Sequence, residues 1–351
     1  MDFLVLFIGY IMSFVIGSIL YYFRDSQTLN TGVVGYIKRT LGQICISLAP
    51  KVLIKWLNDT ANAVLTSSNP FMQIMFCLMV LLGHSILVID VLPYLFVYDP
   101  DGDHITLPII FCFANFFFMH LSCYPDPGEI TSKNQKYFMS LYKSDGVLYH
   151  PDAFCKTCKI VRPPRSKHCS TCKKCVHRFD HHCVWTNNCV AGFNQRWFIL
   201  YLLSVCIMCG NGTYMTYKCL CLIVRSKKLM DTQYIDPNTR EVHPITLYIL
   251  IQHLFMEYPH TMFLLFALPS VIILLGSLAA YHIYLVTTNQ TTNERYKLYD
   301  IVQKSKLDNK DPHIINDIQS MRPFNKGLWK NIQEVIFPRR QLNKLFHKRQ
   351  R

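Results

Sequence analysis

The chain has 351 residues, 51% of them apolar, and 36 Lys and Arg stand against 22 Asp and Glu for a formal net charge of +14. A soluble protein must keep its surface wet, so the apolar surplus argues against two ordinary soluble domains and for lipid as part of the solvent. The positive balance suits nucleic acid, anionic headgroups or a polyanionic small molecule, and only the positions of the charges can choose among them.

A bilayer crossing needs roughly 20 mostly apolar residues. In chain order the runs that qualify are Phe3–Phe23, Phe71–Tyr98, Ile105–Tyr124, Trp197–Val224 and Thr261–Thr287. They predict an all-α integral membrane bundle of about five transmembrane helices. The first run lacks the small-residue cleavage site of a signal peptide and reads as a retained anchor. His84 and Asp90 fall inside the second run; such residues can be functional, but the plainer reading puts them near a helix end or facing the bundle. Ile245–Met256 is apolar but too short to span, and reads as lying on or near the membrane surface.

Between the third and fourth runs lies a polar insert that holds seven of the fifteen cysteines, from Cys155 to Cys189. It contains Cys155-x-x-Cys158, His168-Cys169-x-x-Cys172-x-x-Cys175, Asp180-His181-His182-Cys183 and Cys189. A disulfide framework belongs in a short secreted chain; cysteines interleaved with histidine and flanked by Lys and Arg read as metal binding in a reducing compartment. Structural zinc takes four N or S ligands in a closed tetrahedron, and a CxxC turn aims two thiolates at one ion. Two such sites use eight ligands, which leaves one Cys and one His of the obvious set unassigned, as a reactive pair would be. The other cysteines, Cys45, Cys77, Cys112, Cys123, Cys206, Cys209, Cys219 and Cys221, read as small apolar residues.

The order CxxC, Arg-Pro, His-Cys, CxxC, Cys, Asp-His-His-Cys, Cys, Asn, Phe over Cys155 to Phe198 resembles the zinc-binding core of the DHHC protein S-acyltransferases. Three outlying marks follow in that family's order: Asp126-Pro127-Gly128, Thr291-Thr292-Asn293-Glu294, and Phe324-Asn325-Lys326-Gly327 leading to Asn331. The resemblance thus runs nearly end to end. It implies one zinc on Cys155, Cys158, His168 and Cys175, and a second on Cys169, Cys172, His182 and Cys189. It implies Cys183 as nucleophile, His181 as its base, and Asp180 as the carboxylate that orients His181. The chemistry agrees, because a free thiol is mostly protonated at neutral pH and a neighbouring imidazole held by a carboxylate can take that proton. The implied activity is transfer of palmitoyl or a similar long-chain acyl group from acyl-CoA to cysteines of membrane-associated proteins. Arg162, Arg165 and Lys167 could bind the phosphates of coenzyme A or merely solvate the insert. Asp126 and Thr291–Glu294 read as architectural, clamping the insert to the membrane face.

Two other classes weigh less. A zinc-stabilised membrane adaptor without catalysis leaves Cys183 and the outlying motifs without a role. A nucleic-acid-binding finger wants a soluble frame with an exposed reading helix, so no nucleic-acid partner is expected.

Charge then orients the chain. Lys and Arg number five in residues 24–70, none in 98–104, twelve in 125–196, four in 225–260 and fourteen in 288–351. With five spans, the positive-inside rule places the N-terminus in the lumen and the insert and tail in the cytosol. The expected organisation is 1–124 with three spans and a loop at 24–70, a Cys-rich domain at 125–196, two spans at 197–287 and a tail at 288–351. The C-terminal His-Lys-Arg-Gln-Arg resembles a dibasic retrieval signal, and equally a merely basic end. The expected location is the endoplasmic reticulum and/or Golgi membrane.

Overall fold

The computed structural model describes residues 67–235, 240–308 and 311–338, with Thr40, Lys55, Asp59 and Thr60, which are helical. The predicted span Phe3–Phe23, almost all of the 24–70 loop, Cys45 and the basic C-terminal end lie outside the described residues. The chain divides into two compact units, Met1–Ser67 with Ile251–His253, and Ser68–Leu250 with Leu254–Arg351.

Among the described residues four helices are long and apolar enough to cross a membrane: α1 (Phe71–Tyr98), α2 (Thr106–Cys123), α4 (Gln195–Ser226) and α6 (Pro259–Thr288). They coincide within a few residues with the second to fifth predicted spans. In hydrocarbon every backbone N–H and C=O needs an internal partner, so an apolar run of this length has the helix as its solution. Large apolar side chains such as Phe113, Ile109 and Ile273 stay more than 60% exposed, as lipid-facing residues must.

Helix α4 is the centre of the bundle, packed against α2 on one side and α6 on another. Its buried residues, among them Phe198, Leu202, Val205, Cys209 and Gly212, recur every three or four positions and form one stripe. Gly212 permits the close approach of α6: a Cβ there would stand 2.9 Å from Leu268 Cδ1. Asn115 of α2 donates to Ser204 Oγ of α4 at 3.0 Å, a buried polar link between spans.

Helix α1 carries a π turn over Leu87–Val91, just before Pro93, which has no N–H to give the helix ladder. Asp90 in that turn lies 3.1 Å from His260 Nδ1, and His84 Nδ1 lies 2.8 Å from Val80 O one turn back. Both ionisable residues of this span therefore have structural partners. The short apolar run becomes α5 (Leu247–Glu257).

The insert is built from hairpins, a feature that the Cys and His spacing did not disclose. Residues Glu129–Ile130 (β1), Phe154–Cys155 (β2), Ile160–Val161 (β3), Lys167–Cys169 (β4), Lys174–Val176 (β5), His181–Cys183 (β6) and Asn188–Val190 (β7) are its strands, with the helix α3 (Gln135–Leu141) beside them. β2 pairs with β3, β4 with β5 and β6 with β7, all antiparallel, and β1 adds to β5. Each hairpin turns through one residue with left-handed backbone: Lys159 (φ 53°), Lys173 (φ 54°) and Asn187 (φ 47°). In the first two turns the second Cys of the CxxC donates its N–H to the sulfur of the first, at 3.4 Å in both. The third turn has the same plan with Cys183 in the first position and Thr186 in the second.

After the last span come α7 (Thr292–Leu307), α8 (Pro312–Ser320) and α9 (Leu328–Ile336). Helix α7 opens on a complete capping box, in which Thr291 and Glu294 satisfy each other's backbone N–H groups. The insert is fastened to this region by a buried charge network. Arg165, 0% exposed, donates to Glu294 Oε1 at 2.7 Å and Oε2 at 2.9 Å, to Asn289 Oδ1 and O at 2.9 Å, and its guanidinium lies 4.4 Å over the Phe324 ring. Arg178 bonds Gln195 at 2.8 Å and Asn289 at 3.1 Å, and Glu334 accepts from Tyr142 at 2.5 Å. Two buried guanidiniums thus meet two buried carboxylates, the condition under which charge can leave water. Asn331 Nδ2 donates to Thr287 O at 2.7 Å, tying α9 back to the end of α6.

Candidate active site and metal centres

Register decides which insert side chains meet. Cys155, Cys158, His168 and Cys175 converge, as do Cys169, Cys172, His182 and Cys189, with the donor atoms of each set within 4.8 Å of one another. In the first set His168 Nδ1 lies 3.6, 3.3 and 3.8 Å from the sulfurs of Cys155, Cys158 and Cys175. In the second, His182 Nδ1 lies 3.7, 3.3 and 3.8 Å from those of Cys169, Cys172 and Cys189. A tetrahedral zinc with bonds of about 2.3 Å to sulfur and about 2.0 Å to nitrogen sets sulfur–nitrogen edges of about 3.6 Å. Both sets have that size and a three-thiol, one-imidazole donor chemistry, so both fit zinc. Each set draws on two hairpins, so a bound ion staples neighbouring hairpins together.

Alternation along β6 separates two kinds of residue. Side chains two apart on a strand share a face, so His181 and Cys183 point one way and His182 the other, toward its thiols. Asp180, just before the strand, is 2% exposed and accepts from His181 Nδ1 at 2.7 Å. An ionised carboxylate only accepts, so the proton sits on Nδ1 and leaves Nε2 free to face a reacting group. Thr292, the first residue of α7, grips the same carboxylate: its N–H reaches Oδ1 at 2.7 Å and its hydroxyl Oδ2 at 3.0 Å. The Asp180 charge therefore sits at a helix N-terminus, where unpaired N–H groups favour an anion.

Burial works against ionising Asp180, but the His181 bond and charge hold its pKa below the ordinary carboxyl value. Burial likewise opposes the His181 imidazolium, yet the bonds to Asp180 and Cys183 push its pKa up to about 10. Burial also opposes the Cys183 thiolate, and the His181 bond and charge still bring it below the usual thiol value. The three shifts share one cause, a thiolate–imidazolium–carboxylate row that is stable together in a place where each charge alone would not be.

Cys183 is 8% exposed and belongs to the apolar cluster of the spans, with Phe76, Met119, Phe198 and Tyr201 among its members. One side of the sulfur therefore adjoins the titrating pair and the other a hydrocarbon-like interior.

The three basic residues of the insert part company. Arg165 neither binds a solute phosphate nor solvates the surface, because its guanidinium is fully buried and bonded to Glu294 and Asn289; the sequence reading of Arg165 gives way to a structural one. Arg162 lines a cavity with Tyr149, His150, Ser166 and Lys297. Lys167 is exposed on β4 beside Phe179. Lys297, on α7, was not singled out from the sequence; burial, then the Arg162 charge, lowers its pKa to about 8. His177, close to the ligands in sequence, belongs to neither metal set and is stacked on Phe138 at 4.7 Å in the insert core. Asp126 accepts from the N–H groups of Gly128 and Glu129 at 2.9 and 2.8 Å, closing the turn that leads into β1. All described cysteines are free thiols.

The sequence profile of the DHHC palmitoyltransferases matches residues 148–299. The chain is 32% identical over 346 residues to palmitoyltransferase ZDHHC4 of Mus musculus, covering 96% of this chain and 97% of the relative. It is 31% identical over 347 residues to palmitoyltransferase ZDHHC4 of Bos taurus, with the same coverage. Palmitoyltransferase SWF1 of Neurospora crassa is 38% identical over 136 residues, 35% of this chain and 32% of that one.

Proposed function

Because the chain belongs to the DHHC palmitoyltransferase family and is a protein S-acyltransferase, we propose that Cys183 is its acyl-carrying thiol, His181 the base and Asp180 the residue that orients it. The observation that carries this reading is the 2.7 Å bond from His181 to Asp180, with Cys183 on the same face of the strand as His181. The Cys183 sulfur, a thiolate whose proton already sits on His181, attacks the thioester carbonyl of a long-chain acyl-CoA such as palmitoyl-CoA. The carbon–sulfur bond to coenzyme A breaks, and His181 returns the proton to the leaving thiolate. In the second half a cysteine of a membrane-associated protein gives its proton to His181, attacks the Cys183 thioester and takes the acyl group. Asp180 holds the Nδ1 proton throughout and stabilises the imidazolium.

Cys155, Cys158, His168 and Cys175 would hold one zinc, and Cys169, Cys172, His182 and Cys189 the other. Zinc there supplies structural closure of the hairpins, with all four ligand positions taken by protein. The acyl chain enters the apolar cluster that adjoins Cys183, a fit supported by Phe76, Met119 and Tyr201 from three spans. The phosphates of coenzyme A lie along Arg162, Lys167 and Lys297, a reading supported by the cationic cavity that two of these residues line.

The loop charges support a five-span topology with an insert and a tail that face the cytosol, where acyl-CoA is available. The division at 124, 196 and 287 follows from that topology, and residence in the endoplasmic reticulum and/or Golgi membrane belongs to the same reading. Protease added to sealed microsomes should cut within 125–196 and the tail and spare 225–260; the reverse pattern would refute the topology. The central test is labelling of the purified protein with an alkyne palmitoyl-CoA. Cys183→Ser should keep both zinc ions and lose the hydroxylamine-labile label, and a label that survives this change would sink the thiol assignment.

A further inference from the structure

One histidine of the spans stands directly behind the proposed catalytic row. His282 lies on α6, about two turns before its C-terminal end, and is 2% exposed. Its Nδ1 is 3.9 Å from Asp180 Oδ2, and among the described residues it has no hydrogen-bond partner. A buried nitrogen without a partner costs free energy comparable to a lost hydrogen bond, and an apolar side chain in a span would avoid that cost. The position therefore asks for a reason to be histidine.

The surroundings supply one. His181, Phe198 and His282 form a triangle of rings, with centroids 5.3 Å apart for His181–Phe198, 5.1 Å for Phe198–His282 and 5.5 Å for His181–His282. Donor atoms of His181 and His282 both lie within 4.8 Å of the Asp180 carboxylate. Thr292 holds that carboxylate from α7 through both oxygens, so His282 is the group on the α6 side that completes its enclosure. An approach of roughly 1 Å brings Nδ1 within hydrogen-bond distance of Oδ2.

We propose that His282 is a positioning residue of the acyl transfer: its Nδ1–H donates to Asp180 Oδ2 and keeps the carboxylate aimed at His181 while that ring takes and returns its proton. The inference rests on the assignment of Cys183 as the acyl-carrying thiol and His181 as its base. No bond is made or broken at His282, and it touches neither acyl group nor sulfur; its effect passes through Asp180.

The test compares two substitutions in the full-length purified protein with palmitoyl-CoA as probe. His282→Phe keeps a ring against Phe198 and removes the nitrogen, whereas His282→Asn places an amide nitrogen near the Nδ1 position. The Phe variant should retain two zinc ions and an unchanged KM for palmitoyl-CoA, and form the acyl-enzyme about tenfold more slowly or worse. The Asn variant should recover most of the rate. Wild-type speed in His282→Phe, an Asn variant as slow as the Phe variant, or a loss that appears in KM alone would each overturn the proposal. If the Phe ring overfills the site and zinc is lost, His282→Leu replaces it in the same comparison. Cys183→Ser in parallel separates the two ideas, because label that persists there defeats the thiol assignment whatever His282 does.

Discussion

Asp180 and Thr292 are 112 residues apart, yet Thr292 binds both oxygens of the Asp180 carboxylate, with its N–H at 2.7 Å and its hydroxyl at 3.0 Å. A motif that opens a helix after the last span thereby holds the carboxylate of the proposed catalytic row. Thr292→Val removes only the hydroxyl bond. It should leave zinc content unchanged and slow acyl-enzyme formation several-fold, with Thr292→Ser restoring the rate. An unchanged rate in the Val variant would reduce Thr292 to a helix start.

The pKa shifts predict a pH dependence. Cys183 sits below the ordinary thiol value and His181 at about 10, so the thiolate forms while His181 is still an imidazolium. Raising the pH through the Cys183 pKa fills the thiolate, and the pair persists until pH approaches the His181 value. The rate of Cys183 alkylation by iodoacetamide should therefore rise along a limb centred below the ordinary thiol value. His181→Ala should move that limb upward, since only the Thr186 bonds then oppose the effect of burial on the thiol. A wild-type limb at or above the ordinary value would contradict the ion pair.

Metal analysis distinguishes the adjacent histidines. His182→Ala opens one four-donor set, so the protein should carry about one zinc instead of two and unfold at lower temperature. His181→Ala leaves both sets intact and should lose acyl-enzyme formation only. Equal zinc loss in the two variants would end the proposed division of roles.

Arg165 offers a stability test. Its removal leaves the buried Glu294 without its paired guanidinium, a change that costs about 3–5 kcal/mol in such sites, whereas Glu334 keeps Arg178 and Lys326. Arg165→Met should lower the unfolding temperature in detergent sharply, and adding Glu294→Gln should return part of the loss. If the single variant binds acyl-CoA less well but unfolds normally, Arg165 is a ligand residue after all.

The cationic cavity makes a prediction about protons. Lys297, with its pKa lowered to about 8 by burial and by Arg162, is largely neutral at pH 9. A polyanion bound beside it raises that pKa, so binding of coenzyme A at pH 9 should take up protons, while binding at pH 7 should not. Calorimetry in buffers of different ionisation enthalpy reads this directly. Lys297→Gln should abolish the uptake and raise the KM for palmitoyl-CoA about tenfold, the cost of one charge-assisted contact. Uptake that survives the substitution would place the phosphates elsewhere.

Spans and donors were legible in the chain itself, because lipid burial needs an unbroken apolar run and zinc needs soft donors at short spacing. Phe71–Tyr98 and the CxxC pairs carry that information locally, whatever else the chain does. Arg165 shows the opposite case. A basic residue in a basic insert reads as a surface charge, and only the return of Asn289, Glu294 and Glu334 from beyond the last span turns it into a buried clamp. Lys297 and His282 were likewise unremarked, the one in a charged helix and the other in an apolar run, since neither has a local partner to betray it. Local order in the sequence determined which residues could bind a metal or cross lipid. Tertiary structure decided which charges are buried, which imidazole meets which carboxylate and which cations share a cavity, because electrostatic energy depends on distance and desolvation between groups that the chain keeps more than a hundred residues apart.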